Sequence, residues 1–217
     1  MELMSAASLS PAGSFDVSVV SERVWIPYRL YADEPAVEAQ RTLAPLQQAV
    51  LSCLYSRHHD GYVRQRHIER IAPRAEDWIA PFVVHLIGEY VLEIVLRIKD
   101  ELADIRLPGT AMHTVYGRFA AANANFITLT SQRAASYWNC YHRHRYPKVA
   151  DYPATILLTS IRDAARCPSR PPDDQRDEPL GPCANLLHRG AHDPGRCRCR
   201  PAAEGRPKPP HAGRGSR

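Results

Sequence analysis

Two hydrophobic periods run along the chain, and the change from one to the other divides it. Phe15, Val17 and Val19 alternate with polar residues, which is the period of a β-strand. A second extended run, Arg23 to Tyr31, follows, and Ser21-Glu22 is placed to turn a hairpin between them. Pro27 has no N–H for a ladder, so the second strand is expected at an edge or broken there. A lone hairpin is marginal in water and needs helices to pack on.

From Pro45 the period becomes helical. Pro45 suits the first turn of a helix to Arg57, with Leu46, Val50, Cys53 and Leu54 as its apolar stripe. Asp60 is placed to cap a second helix, Gly61 to Ala72. A third helix is expected from Asp77 to Asp104. It is apolar almost all round, with Ile87, Val91 and Ile94 in its main stripe and Leu92 and Leu96 across the axis. That pattern means burial on two sides, either in the centre of a domain or at an oligomer contact. A fourth helix is expected from Ala111 to Arg145. Its Val115, Phe119, Ala122, Phe126, Leu129, Arg133, Tyr137 and Cys140 recur at spacings near four and three, a seam for lengthwise contact with another helix. The two long helices, each about 40 Å at 1.5 Å per residue, would form an antiparallel pair. Pro153 to Ala165 reads as a last helix. The expected fold is mainly α: a bundle of about five helices with two long central ones and a small N-terminal β-hairpin, one domain over residues 14–165.

Residues 1–13 and 166–217 are expected to be disordered. The C-terminal stretch holds ten of the 19 prolines, six glycines and no aromatic residue, too little to build a core. Its Arg, Pro, Gly, Ala, His and Cys bias resembles a GC-rich, bacterial-type gene translated out of frame, so a frameshift or read-through origin is expected. Cys183, His188, His192, Cys197 and Cys199 fall within it. The pair His188 and His192 has finger-like spacing, but no preceding C-x₂₋₄-C accompanies it, and biased composition accounts for the cluster without a metal.

Charge changes the picture less than the total suggests. The chain carries +5, yet residues 1–165 hold 17 basic and 17 acidic residues and residues 166–217 hold 11 and 6. A neutral domain lacks a long-range field to steer a polyanion. Met1 to Gly13 lacks the features of a signal peptide. His85, Glu89, Glu93 and Arg97 put charges into the most apolar stretch, Ile79 to Ile98, so no membrane span is expected. A cytoplasmic protein is the expectation, with Cys53 and Cys140 as reduced thiols.

Three polar groupings are the candidates for chemistry. His85, Glu89 and Glu93 stand four apart, on one ridge of a continuous helix, and could act as an acid–base or metal cluster; the alternative is a solvated ridge continuing through Arg97 and Glu101. Arg57, His58, His59, Arg64 and Arg66 crowd a helix–helix junction, where they could bind an anion or merely cap the connection. Tyr137 to Tyr146 interleaves aromatics with His142, Arg143, His144 and Arg145, the mixture found on nucleic-acid surfaces and also what a helix C-terminus favours. There is no phosphate-binding Gly-rich loop, no G-x-S-x-G and no H-E-x-x-H, and no cofactor is expected. The leading expectation is a non-enzymatic helical interaction module that self-associates as a homodimer through Leu92 and Leu96. The rivals are a nucleic-acid or anion binder, and an enzyme built on His85, Glu89 and Glu93.

Overall fold

A computed structural model describes residues 13–166. The expectations for residues 1–12 and 167–217, including the Cys and His cluster from Cys183 to Cys199, lie outside the described residues. No helix among the described residues is long and apolar enough to cross a membrane.

The chain opens with strands β1 (Ser14–Val19) and β2 (Glu22–Pro27), paired antiparallel from Ser14 opposite Pro27 to Val19 opposite Glu22. The turn is made by Val20 and Ser21, both with positive φ, 47° and 69°, one residue earlier than the sequence pattern suggested. Two left-handed residues match the twist of the strands they join. Phe15, Val17 and Ile26 face the core.

A short helix α1 (Val37–Arg41), which has no counterpart in the expected elements, precedes α2 (Pro45–Tyr55) and α3 (Gly61–Ile71). The Asp60 carboxylate accepts the Tyr62 amide at 2.8 Å, capping α3 as its position implied. On α2 the buried face is Ala49, Leu51, Ser52, Cys53 and Tyr55, while Leu46 and Val50 are exposed. The expected stripe is therefore rotated, because Tyr55 and Leu51 pack into a second small core with Leu30, Ala32 and Val63.

The expected third helix is divided into α4 (Ala80–Ile87) and α5 (Leu92–Glu101), followed by a 3₁₀ turn, Ala103–Arg106. Gly88 ends α4 where it meets a later helix. A Cβ there would lie 2.9 Å from the Thr130 methyl and 3.1 Å from the Thr130 carbonyl oxygen, so only glycine permits the approach. The break resets the phase of α5. Leu92, Ile94, Val95 and Ile98 turn inward and Glu93, Arg97 and Asp100 outward, an ordinary amphipathic helix rather than one apolar all round. Leu92 is 5% exposed within the chain and Leu96 packs half-buried against the core.

The expected fourth helix is also jointed, into α6 (Ala111–Ala122), α7 (Ala124–Tyr137) and a π-turn, Trp138–His142. Asn123 is the joint, with φ −131° and ψ 44°. Its side chain acts as a piece of strand: Oδ1 accepts the Ser18 amide at 2.7 Å and Nδ2 donates to the Ser18 carbonyl at 2.8 Å. The amide thereby fastens the hairpin to the bundle. Helix α8 (Pro153–Arg166) lies against α5, α6 and α7. Gly117 makes the α6–α8 contact possible, since a Cβ there would meet the Ala164 carbonyl oxygen at 2.7 Å. The main core runs from Phe15 through Ile87, Ile94 and Tyr116 to Leu157 and Ile161.

Candidate anion-binding site

The α4–α5 break puts Glu89 inside the protein, 4% exposed, and a buried carboxylate must be paired. Arg29, just beyond β2, holds it with both guanidinium nitrogens, Nη1 to Oε1 at 3.0 Å and Nη2 to Oε2 at 3.1 Å. Arg57 Nη2 stands 3.9 Å from Oε1 and Arg64 Nη2 3.7 Å from Oε2. Both of these arginines are fully buried, so they do more than cap the connection between two helices.

The same two arginines also staple backbone carbonyls, that of Tyr28 being shared with Arg29 Nη1. Arg57 reaches back to the strand exit, with Nη2 donating to the Tyr28 carbonyl at 2.7 Å. Arg64 Nη1 donates to the carbonyls of His58 and His59, both at 2.9 Å, at the end of α2. Leu30 is clamped alongside, its amide donating to the Arg57 carbonyl at 2.8 Å and its carbonyl accepting the His59 amide at 2.9 Å. The Arg-rich junction, the hairpin exit and the α4–α5 break thus meet at one carboxylate.

His85, on the last turn of α4, is 2% exposed and connects this cluster to α7. Its Nε2 lies 2.8 Å from Arg133 Nη1. A guanidinium can only donate, so Nε2 accepts and the ring proton sits on Nδ1, 4.0 Å from Glu89 Oε1. Burial first, and then the surrounding Arg57, Arg133, Arg29 and Arg64, hold His85 well below its ordinary pKa, so it is neutral at pH 7. Arg133 is fixed on its other side by Nη2 donating to Thr130 Oγ1 at 3.2 Å. Burial pulls Arg57 down to about 9, with Glu89 opposing the change; it is still a cation at neutral pH. Burial also lowers Arg133.

Three guanidinium groups therefore stand within 4 Å of one carboxylate, and a fourth, Arg133, is bonded to His85 beside it. Their donors exceed the acceptors within reach: Arg57 Nη1, Arg64 Nε, Arg133 Nε and His85 Nδ1 are buried without a hydrogen-bond partner. Such donors in a low-dielectric interior are costly unless an acceptor meets them. His85 and Arg133 also line a cleft of about 780 Å³ between β1, Tyr28 and α7. Part of its wall is the seam expected on the fourth helix: Phe126 and Arg133, which also pack inward, and Leu129 line it. Leu129 is 60% exposed.

The remaining candidates are distributed differently. Glu93 is exposed on the first turn of α5, away from the His85–Glu89 pair, because the helix breaks between them. No group of three or more metal-ligating side chains exists among the described residues. His58 is buried, contacting the Ala32 carbonyl through Nε2 at 3.1 Å and accepting the Asp60 amide on Nδ1 at 3.1 Å; His59 stacks on Tyr31. Arg66 pairs with Glu34 at the surface. His142 contacts the Tyr90 carbonyl at 3.0 Å, Arg143 lies over Trp138 and Arg145 over Tyr146, with His144 exposed beside them. Arg143 stands ten residues beyond Arg133, about 15 Å at helical rise. Arg29 and Arg133 escaped the sequence reading; the signal for Arg133 was a lone cation in an otherwise apolar seam. Compared with known protein families, curated proteins and solved structures, the chain matches none.

Proposed function

We propose that this protein binds a small anion in the cleft between β1 and α7, with Arg133 as its direct contact and Arg29, Arg57 and Arg64 supplying the field behind it. The observation that carries this reading is the charge imbalance around Glu89: three buried or half-buried guanidinium groups share a single carboxylate, and a fourth, Arg133, is bonded to neutral His85 and to Thr130. An oxyanion beside Arg133 would relieve that excess and accept from donors that lack a partner. His85 is a positioning residue here. Held neutral, it presents an acceptor that fixes the Arg133 guanidinium and adds no further charge.

The other expectations have less behind them. Self-association drew on Leu92 and Leu96, and intramolecular contacts account for both. Acid–base chemistry at His85 and Glu89 would need a histidine that titrates near neutrality, whereas burial among arginines pushes this one well down.

The test is calorimetric titration of the full chain with inorganic phosphate, beside Arg133→Gln. The expected result is saturable binding that Arg133→Gln weakens at least tenfold without unfolding the protein. Absence of binding by the wild type, or equal binding by both, contradicts the proposal.

A further inference from the structure

Resting on the anion-binding reading, we infer that the natural ligand is an aryl oxyanion, a flat aromatic ring bearing one phosphate or carboxylate group. A bare inorganic ion would leave most of the cleft unfilled. Its volume, about 780 Å³, falls among clefts of roughly 300–1,000 Å³ that hold organic ligands of drug size. The cation is at the inner end, where Arg133 is half-buried and His85 fully so. The outer part carries exposed apolar surface, Leu129 at 60% and Tyr28 at 43%, beside the polar side chains of Asn125, Gln132 and Ser136.

The arrangement of rings selects a flat ligand. Phe15 packs on His85 at 4.6 Å and 19° and on Phe126 at 5.2 Å and 25°, and His85 and Phe126 are themselves 6.1 Å apart and tilted by 39°, so the three rings form a compact cluster. This cluster borders the cleft through all three rings, and Tyr28 stands tilted at 5.4 Å from Phe15. An aromatic ring entering the cleft would pack against this cluster at the spacing of aromatic pairs. Asp16, paired with Arg23 at 2.8 Å, also lines the cleft. Its carboxylate discourages a second negative group, so the ligand's charge belongs at the Arg133 end alone.

The experiment compares matched probes on the full chain: phenyl phosphate against methyl phosphate, and benzoate against acetate. Each pair keeps the acid group and changes only the ring. At least one aryl probe is expected to bind ten or more times tighter than its alkyl partner. In Leu129→Asn and Tyr28→Ser that preference for the aryl probe should shrink several-fold. Arg133→Gln should weaken every probe. Equal affinity within both pairs overturns the aryl inference and leaves the anion site standing. A ring preference untouched by Leu129→Asn and Tyr28→Ser places the ring elsewhere and also overturns it. Binding by none of the four probes overturns this inference and the anion-binding reading together.

Discussion

At the scale of single residues, Glu89 is the most consequential side chain in the protein. It is the only carboxylate within 4 Å of Arg29, Arg57 and Arg64 among the described residues, and those arginines in turn hold the backbone of the strand exit and of the α2–α3 junction. Replacing Glu89 by Gln keeps the shape and removes the charge. Breaking one side of a buried ionic cluster costs about 3–5 kcal/mol, because the partner charges stay buried and unpaired. Glu89→Gln should therefore lower the urea midpoint by a corresponding amount, and added phosphate should restore part of the loss by partly compensating the unmatched charge. Unchanged stability in Glu89→Gln would mean that the arginines are satisfied without it.

At the scale of elements, two joints separate the structure from what periodicity could reveal. Hydrophobic spacing located nearly every helix, since a 3.6-residue period survives a short interruption. It could not locate the breaks at Gly88 and Asn123, because each depends on a contact distant in sequence: Gly88 on Thr130 and Asn123 on Ser18. The same breaks bring Glu89 inward and leave Glu93 outside, so the His85–Glu89 pairing was legible and the cluster around it was not. A second polar network binds the earlier elements. His67 on α3 is buried between Ser52 of α2, at 3.2 Å from Nδ1, and Glu34, at 2.9 Å from Nε2. Arg66 and Gln40 also engage Glu34, Arg70 donates to Gln40, and Tyr55 stacks near the His67 ring. Burial pushes His67 down to about 4, against the pull of Glu34 and with the help of Arg70 and Arg66. At pH 7 the imidazole is neutral in both folded and unfolded chains. Below about 6.5 the unfolded chain takes up a proton that the folded chain refuses until about pH 4. Stability should fall across that window, by up to about 3 kcal/mol from this residue. Urea unfolding between pH 7 and 4.5 should show His67→Gln losing less stability than the wild type; parallel losses would exclude His67 as a source.

At the scale of the whole molecule, charge balance conceals a local excess. Residues 1–165 carry equal numbers of basic and acidic groups, yet folding gathers Arg29, Arg57 and Arg64 around one carboxylate, sets Arg133 beside them on His85, and pairs many of the other acids at the surface, as in Arg118–Asp77, Arg97–Glu101 and Arg23–Asp16. Summed charge therefore pointed away from an anion, while its distribution points toward one. The small apolar seam of α7 behaves the same way: Phe126 and Leu129 form a wall of the cleft that Arg133 closes at its inner end. Crystals of the full chain soaked in selenate test this account most directly, because the selenium atom is located by its anomalous scattering. The account predicts a peak in the β1–α7 cleft within hydrogen-bonding distance of the Arg133 guanidinium, absent from Arg133→Gln crystals. Peaks confined to exposed arginines such as Arg143 and Arg145, with none beside Arg133, would contradict it.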